Sequence, residues 1–122
     1  MRTLYMKRNE SITLLVTFTD DNGELIEVSV DDIKAQIRNN YNDFVAEFTV
    51  SQNDDLTSYT LECLDTKDFP LGELFFDIAL KMDNGSFKYS ETMKIVMLEE
   101  RTREWTSMLN WKTLIILIRE TI

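Results

Sequence analysis

The chain is expected to be all-β, an antiparallel β-sandwich of seven or eight strands followed by a short apolar C-terminal helix. Three observations carry that expectation. Short stretches alternate apolar and polar side chains with the two-residue period of a half-buried strand. Asn22-Gly23 and Asn84-Gly85 supply the pair that tolerates positive φ in a tight hairpin turn. The alternating stretches recur about every 8–12 residues with polar turns between them, a spacing characteristic of sandwiches and open barrels.

The clearest alternation places Ile12, Leu14, Val16 and Phe18 on one side and Thr13, Leu15, Thr17 and Thr19 on the other. Asp20-Asp21-Asn22-Gly23 turns the chain, and residues 25–30 return as a second strand. After Asp31-Asp32, Ile33, Ala35 and Ile37 alternate with Lys34, Gln36 and Arg38, giving a strand with one wet face. Residues 39–43 form a turn. One strand is then expected over residues 44–50, with Phe44, Ala46 and Phe48 sharing a face. Tyr59, Leu61 and Cys63 alternate with Thr60, Glu62 and Leu64. In residues 74–82, Phe76, Ile78 and Leu80 share a face, and Pro70 falls safely between strands. Asp83-Asn84-Gly85-Ser86 joins that stretch to residues 87–89 as a hairpin, and residues 93–98 are the last strand of the body.

The pattern changes after residue 100, which divides the chain into a sandwich domain, 1–100, and an apolar tail, 101–122. In the tail, Trp105, Met108, Trp111, Leu114, Ile115 and Ile118 recur at spacings of mostly three and four, and a helix would gather them on one face. The run from Leu114 to Ile118 also suits a buried strand. These six residues are the expected partner-binding set, because such a face exceeds what a stable monomer ordinarily exposes. The alternative is that the tail folds back over its own domain. Lys112, Asn110 and Arg119 interrupt it, and it falls short of the roughly 20 apolar residues a membrane span needs.

Length and charge bound the function. A chain of 122 residues fits one domain with a modest core. Its net charge of −9 disfavours a general nucleic-acid or anionic-membrane binder. Residues 1–100 hold 20 acidic and 9 basic side chains, a balance of −11, while residues 101–122 hold 2 and 4, a balance of +2. The amino-terminal residues lack a signal-peptide pattern, and a lone Cys63 in an alternating stretch reads as an inert buried thiol, so a reducing compartment is expected.

Catalytic chemistry is hard to assemble from this composition. There is no histidine, which removes the commonest general base and the usual zinc nitrogen ligand, and one cysteine excludes a thiolate zinc cluster. Gly23, Gly72 and Gly85 stand alone, so there is no phosphate-cradling loop. Asp20-Asp21, Asp31-Asp32, Asp54-Asp55 and Glu99-Glu100 offer carboxylates for a cation or for acid–base work, yet none follows the calcium-loop order, and solvated turn charge is the simpler reading. No catalytic, metal or cofactor residue is assigned. Tyr5, Tyr41, Phe44, Phe75, Phe87 and Tyr89 suggest either packing or a platform for sugars or bases; Phe75 and Tyr89 are exposed if Phe76 faces the core.

The order of signals from Lys7 to Arg103 resembles the small β-sandwich domain at the amino terminus of bacteriophage baseplate upper proteins and related tail-appendage proteins. The resemblance rests on Lys7-Arg8-Asn9-Glu10, where such domains have a basic-Gly-acidic opening, on Asp20-Asp21-Asn22-Gly23, and on Ile33-Lys34-Ala35-Gln36-Ile37-Arg38. It continues through Phe69-Pro70-Leu71-Gly72-Glu73-Leu74-Phe75-Phe76-Asp77-Ile78, Asp83-Asn84-Gly85 and Arg101-Thr102-Arg103. Asn9 stands in place of the family's Gly, and no Gly follows Asp31-Asp32. The resemblance implies an Ig-like domain and a non-enzymatic role in a virion assembled in the bacterial cytoplasm. The partners are then other virion subunits, in a homo-oligomer or hetero-complex, without direct nucleic-acid contact. Other readings are a carbohydrate- or surface-binding Ig-like module and an acidic nucleic-acid mimic that inhibits a host protein.

Overall fold

Alternation of the kind just described builds two sheets in the computed structural model, which describes residues 1–101 and the backbone of residues 113–121. The strands are β1 (Thr3–Lys7), β2 (Ser11–Thr19), β3 (Leu25–Ile26), β4 (Ile33–Asn39), β5 (Phe44–Glu47), β6 (Thr49–Gln52), β7 (Ser58–Cys63), β8 (Gly72–Lys81), β9 (Phe87–Tyr89), β10 (Met93–Leu98) and β11 (Thr113–Thr121). A 3-10 turn, Val30–Asp32, is capped by Ser29 and precedes β4. One sheet runs β1-β10-β8-β4-β5, with β9 also on β8; the other runs β11-β2-β7-β6, with β3 also on β2.

The inward residues of both sheets form one apolar core. Ile12, Leu14, Val16 and Phe18 of β2 meet Ile33, Ala35 and Ile37 of β4 and Leu74, Phe76, Ile78 and Leu80 of β8 in that cluster, all buried. Each fully buried aliphatic or aromatic side chain contributes on the order of 1.5–3 kcal/mol. Phe48 packs on Phe76 with ring centroids 5.1 Å apart. Tyr59 packs on Phe18 at 5.6 Å, and its hydroxyl accepts from the Val28 N–H at 2.6 Å and donates to the Val28 carbonyl at 2.7 Å. That pair of bonds fastens the irregular passage after β3, whose own pairing with β2 covers only two residue pairs.

Several expectations are corrected. Residues 113–121 form a strand rather than part of a helix, paired in parallel with β2 over nine positions from Thr113↔Ser11 to Thr121↔Thr19. The physical reason is twofold: the segment is rich in β-branched Ile and Thr, and the edge of β2 presents a full row of backbone donors and acceptors. The rest of the expected helix lies outside the described residues. Pairing is antiparallel-rich but not uniformly antiparallel, since β1 also runs parallel to β10 from Thr3↔Lys94 to Lys7↔Leu98. The strand expected over residues 44–50 splits at Phe48. β5 pairs with β4 in one sheet, β6 pairs with β7 in the other, and the Phe48 N–H bonds to the Ala35 carbonyl at the crossing. A register shift between Ile37 and Arg38 accompanies the split: Ala46 opposes Ile37 but Phe44 opposes Arg38. Inserting Val45 flips the parity, so Phe44 is exposed although Phe48 is buried.

The turns follow local chemistry. Gly23 and Gly85 adopt φ of 82° and 87°, the left-handed conformation the Asn-Gly signals require. Asn9 also takes a positive φ, 73°, a region that Asn tolerates better than most other side chains do. Around it the Glu10 carboxylate accepts the Lys7 N–H at 2.7 Å and the Arg8 N–H reaches the Leu98 carbonyl at 3.0 Å, so β1 crosses into β2 beside the end of β10.

Two stability predictions follow from these contacts. Gly85→Val is expected to destabilise by about 1–3 kcal/mol in chemical denaturation through backbone strain at positive φ. Open space surrounds the position where its Cβ would stand, so no steric clash contributes. Tyr59→Phe is expected to cost about 1–3 kcal/mol, because the ring still packs while both backbone groups of Val28 lose their partner; an unchanged midpoint would mean that water replaces the hydroxyl.

Candidate functional site

The ten-residue strand β8 positions the candidate site. Its pleat buries Leu74, Phe76, Ile78 and Leu80 and turns Phe75, Asp77, Ala79 and Lys81 to the outer face. Across β4 these oppose a second outward row: Arg38 stands opposite Phe75, Gln36 opposite Asp77 and Lys34 opposite Ala79. On the other side β9 pairs with the far end of β8, Tyr89 opposite Ala79 and Phe87 opposite Lys81. The small Ala79 between long neighbours makes the face concave. Asp31 and Asp32 of the 3-10 turn, with Asn39, Asn40 and Asn42, raise its rim, and the concavity measures about 790 Å³.

The walls are held in place. Arg38 donates to the Asn42 carbonyl at 2.9 Å and to Gln36 Oε1 at 2.8 Å, and its guanidinium lies 5.9 Å from the centre of the Phe44 ring. The end of β9 is fastened where Ser90 Oγ accepts the Ile78 N–H at 2.8 Å and the Ser90 N–H reaches the Ile78 carbonyl at 2.9 Å. Phe87 and Tyr89 stand side by side with centroids 6.4 Å apart and planes inclined by 30°. They are 53% and 63% exposed, so these rings face solvent rather than the core.

Asp77 occupies the floor. Burial pushes its carboxyl above the ordinary carboxylate range, against the opposing pull of its own backbone N–H. The two ion pairs among the described residues, Arg8–Glu100 and Lys94–Glu73, do not include it. Charge around the concavity is balanced, with Asp31, Asp32 and Asp77 facing Lys34, Arg38 and Lys81.

Other candidate groups are engaged elsewhere. Asp20 Oδ1 accepts the N–H groups of Asn22 and Glu24, which closes the first hairpin turn. Asp55 accepts from the backbone N–H and hydroxyl of Ser58 and from the Thr57 N–H, bonds that hold its carboxyl below the usual range. Burial, reinforced by the charge of Asp65, pushes the Cys63 thiol up to about 11, which leaves little thiolate at neutral pH. Among the described residues, no group of three His, Cys, Asp or Glu is placed to hold a metal ion, and no helix is long and apolar enough to cross a membrane.

Of the six residues expected to bind a partner, Trp105, Met108 and Trp111 lie outside the described residues. Leu114, Ile115 and Ile118 belong to β11, in register with Ile12, Thr13 and Val16 of β2. A strand separates what a helix would gather, because Ile115 falls at the opposite parity from Leu114 and Ile118. Of the six aromatic residues singled out in the sequence, Phe75, Phe87 and Tyr89 line the concavity. Tyr5 and Tyr41 are exposed elsewhere, on β1 and in the β4–β5 turn. Asp77 and Gln36 were not singled out as site residues by the sequence; the signal that turns Asp77 outward is the burial of Phe76, and Gln36 lies on the wet face that the Ile33–Ile37 alternation gives. No protein-family model matches the chain, and no curated protein matches it.

The raised Asp77 pKa has a sign that stability measurements can read. The folded state binds this proton more tightly than the unfolded chain does, so ionisation costs stability. That cost is absent below the ordinary carboxylate range, grows as pH rises toward the raised folded value and is complete above it. Asp77→Asn is therefore expected to exceed the parent's denaturation midpoint at pH ~7, with the margin shrinking toward pH ~3. A margin independent of pH would assign the effect to packing.

Proposed function

We propose that this chain is a non-enzymatic assembly module of a bacteriophage particle, an Ig-like β-sandwich that joins other virion subunits through its C-terminal segment. The observation that carries the reading is how β11 meets the body. β1 passes into β2 through three residues, 8–10, whereas β10, which runs beside β1, is separated from β11, which runs beside β2, by fourteen residues, 99–112. Facing sheets stand about 10 Å apart, and fourteen extended residues can reach on the order of 45 Å. The connection therefore has enough length for the segment to reach the β2 edge of a neighbouring subunit.

Pairing energetics support the same reading. In the sheet order β11 hydrogen-bonds to β2 alone, in the parallel arrangement that is slightly weaker per residue. Every other pairing of the two sheets is made without it. A displaced β11 leaves the nine-residue edge of β2 open, and an open edge is a template for another chain. The resemblance to phage tail-appendage domains supplies the particle, and the absence of histidine from the sequence favours a structural role over a catalytic one. Assembly then takes place in the host cytoplasm, with Trp105, Met108, Trp111, Leu114, Ile115 and Ile118 as the docking set and the rest of the chain as the domain they serve.

Co-expression with the products of adjacent genes, followed by light scattering, tests the proposal. The full-length chain and Lys112→Ala are expected in a complex, whereas truncation after residue 101 and Ile115→Asp are expected to leave a folded monomer. A full-length chain that stays monomeric with every neighbour, together with a truncated chain that unfolds, would place the segment in its own core and refute docking.

A further inference from the structure

We propose that the concave outer face of β4, β8 and β9 is a binding site for a short neutral oligosaccharide, with Phe87 and Tyr89 against a sugar face and Asp77 and Gln36 taking its hydroxyls. This reading is independent of the assembly role, because the site shares no residue with the C-terminal segment.

Three features select this ligand class. The first is the pair of rings. Two exposed aromatic faces 6.4 Å apart on one edge strand form a shallow apolar wall, and the C–H faces of a sugar ring stack on such surfaces. The second is the floor. Asp77 is half-buried, belongs to no ion pair among the described residues and faces Gln36, whose Oε1 is taken by Arg38 and whose Nε2 reaches Glu47 at 3.5 Å with its second N–H left over, so the floor offers a carboxylate acceptor and one amide donor. Sugar hydroxyls donate to a carboxylate and accept from an amide without adding charge. A dry protein interface would instead bury Asp77 without a partner, at a cost that interfaces avoid.

The third feature is charge. The face is balanced, three acidic against three basic side chains, on a body whose residues 1–100 carry −11. A polyanion gains no net attraction there, and its phosphates or sulfates meet the field of the acidic body. The volume of about 790 Å³ lies within the ~300–1,000 Å³ range of small-molecule sites and leaves room for more than one sugar ring.

The test uses the full-length chain on an array of neutral, sialylated and sulfated oligosaccharides of two to four units, followed by calorimetric titration of the strongest neutral ligand. Neutral glycans are expected to bind, with affinity at least tenfold weaker in Tyr89→Ala and in Asp77→Asn. Tyr41→Ala, which alters a ring 85% exposed outside the concavity, is expected to keep parent affinity. If Tyr89→Ala fails to fold, Asp77→Asn decides alone, since it removes a charge that opposes folding at neutral pH. Binding to none of the glycans, binding to anionic glycans only, or unchanged affinity in Asp77→Asn would each overturn the proposal. None of these outcomes bears on docking of the C-terminal segment, which is read from complex formation.

Discussion

The pleat of β8 is the constraint on which both faces of the six-stranded sheet depend. Its inward residues Leu74, Phe76, Ile78 and Leu80 supply a large share of the core, and Phe76 meets Phe48 at the point where the chain changes sheets. Because a strand has a period of two, burying these four places Phe75, Asp77, Ala79 and Lys81 outside. The outer face is therefore coupled to the core. A register slip of one residue would bury Asp77 and expose Phe76, an exchange the folded state cannot support.

Edges are the second constraint. β8 is covered by β10 over one half and by β9 over the other, with Ser90 taking up the backbone of Ile78 between them. β1 covers β10 in parallel, and the fork of Arg8 on Glu100, at 3.1 and 3.3 Å, ties the β1–β2 crossing to the chain just beyond β10. β2 has β7 and the two-residue β3 as antiparallel partners and β11 as its parallel one. Ten strands are thus joined by short local connections, and β11 arrives by the longest one. The proposed assembly role rests on the element at the end of that connection.

Electrostatics divide the acidic body by function. Asp20 and Asp55 are used by the chain itself, each accepting the backbone N–H groups that close a turn. Asp31 and Asp32 sit at the rim of a locally neutral concavity, and Asp77 lies on its floor. A net charge of −9 disfavours polyanions at the molecule as a whole, and the balanced face would leave the proposed sugar site to shape, ring contact and hydrogen bonding.

The all-β class, most strand positions and the Asn-Gly turns were legible in the sequence because they depend on the local two-residue period and on φ preferences of single residues. Ile12 to Phe18, Ile33 to Ile37 and Phe76 to Leu80 alternate so regularly that their inward faces could be read before any partner was known. Part of the candidate site was visible in the same way: Phe75 turns to the outer face because Phe76 is buried. Pairing was not legible. Whether β1 joins β10 in parallel, where the chain leaves one sheet for the other at Phe48, and whether Leu114-Ile115-Ile116-Leu117-Ile118 pairs as a strand or coils as a helix all depend on partners distant in sequence. An apolar run without clear periodicity satisfies either local geometry, and a free edge on β2 decides between them. Asp77 and Gln36 face each other only because β4 and β8 pair in one register, a contact between residues 41 positions apart that no local pattern encodes.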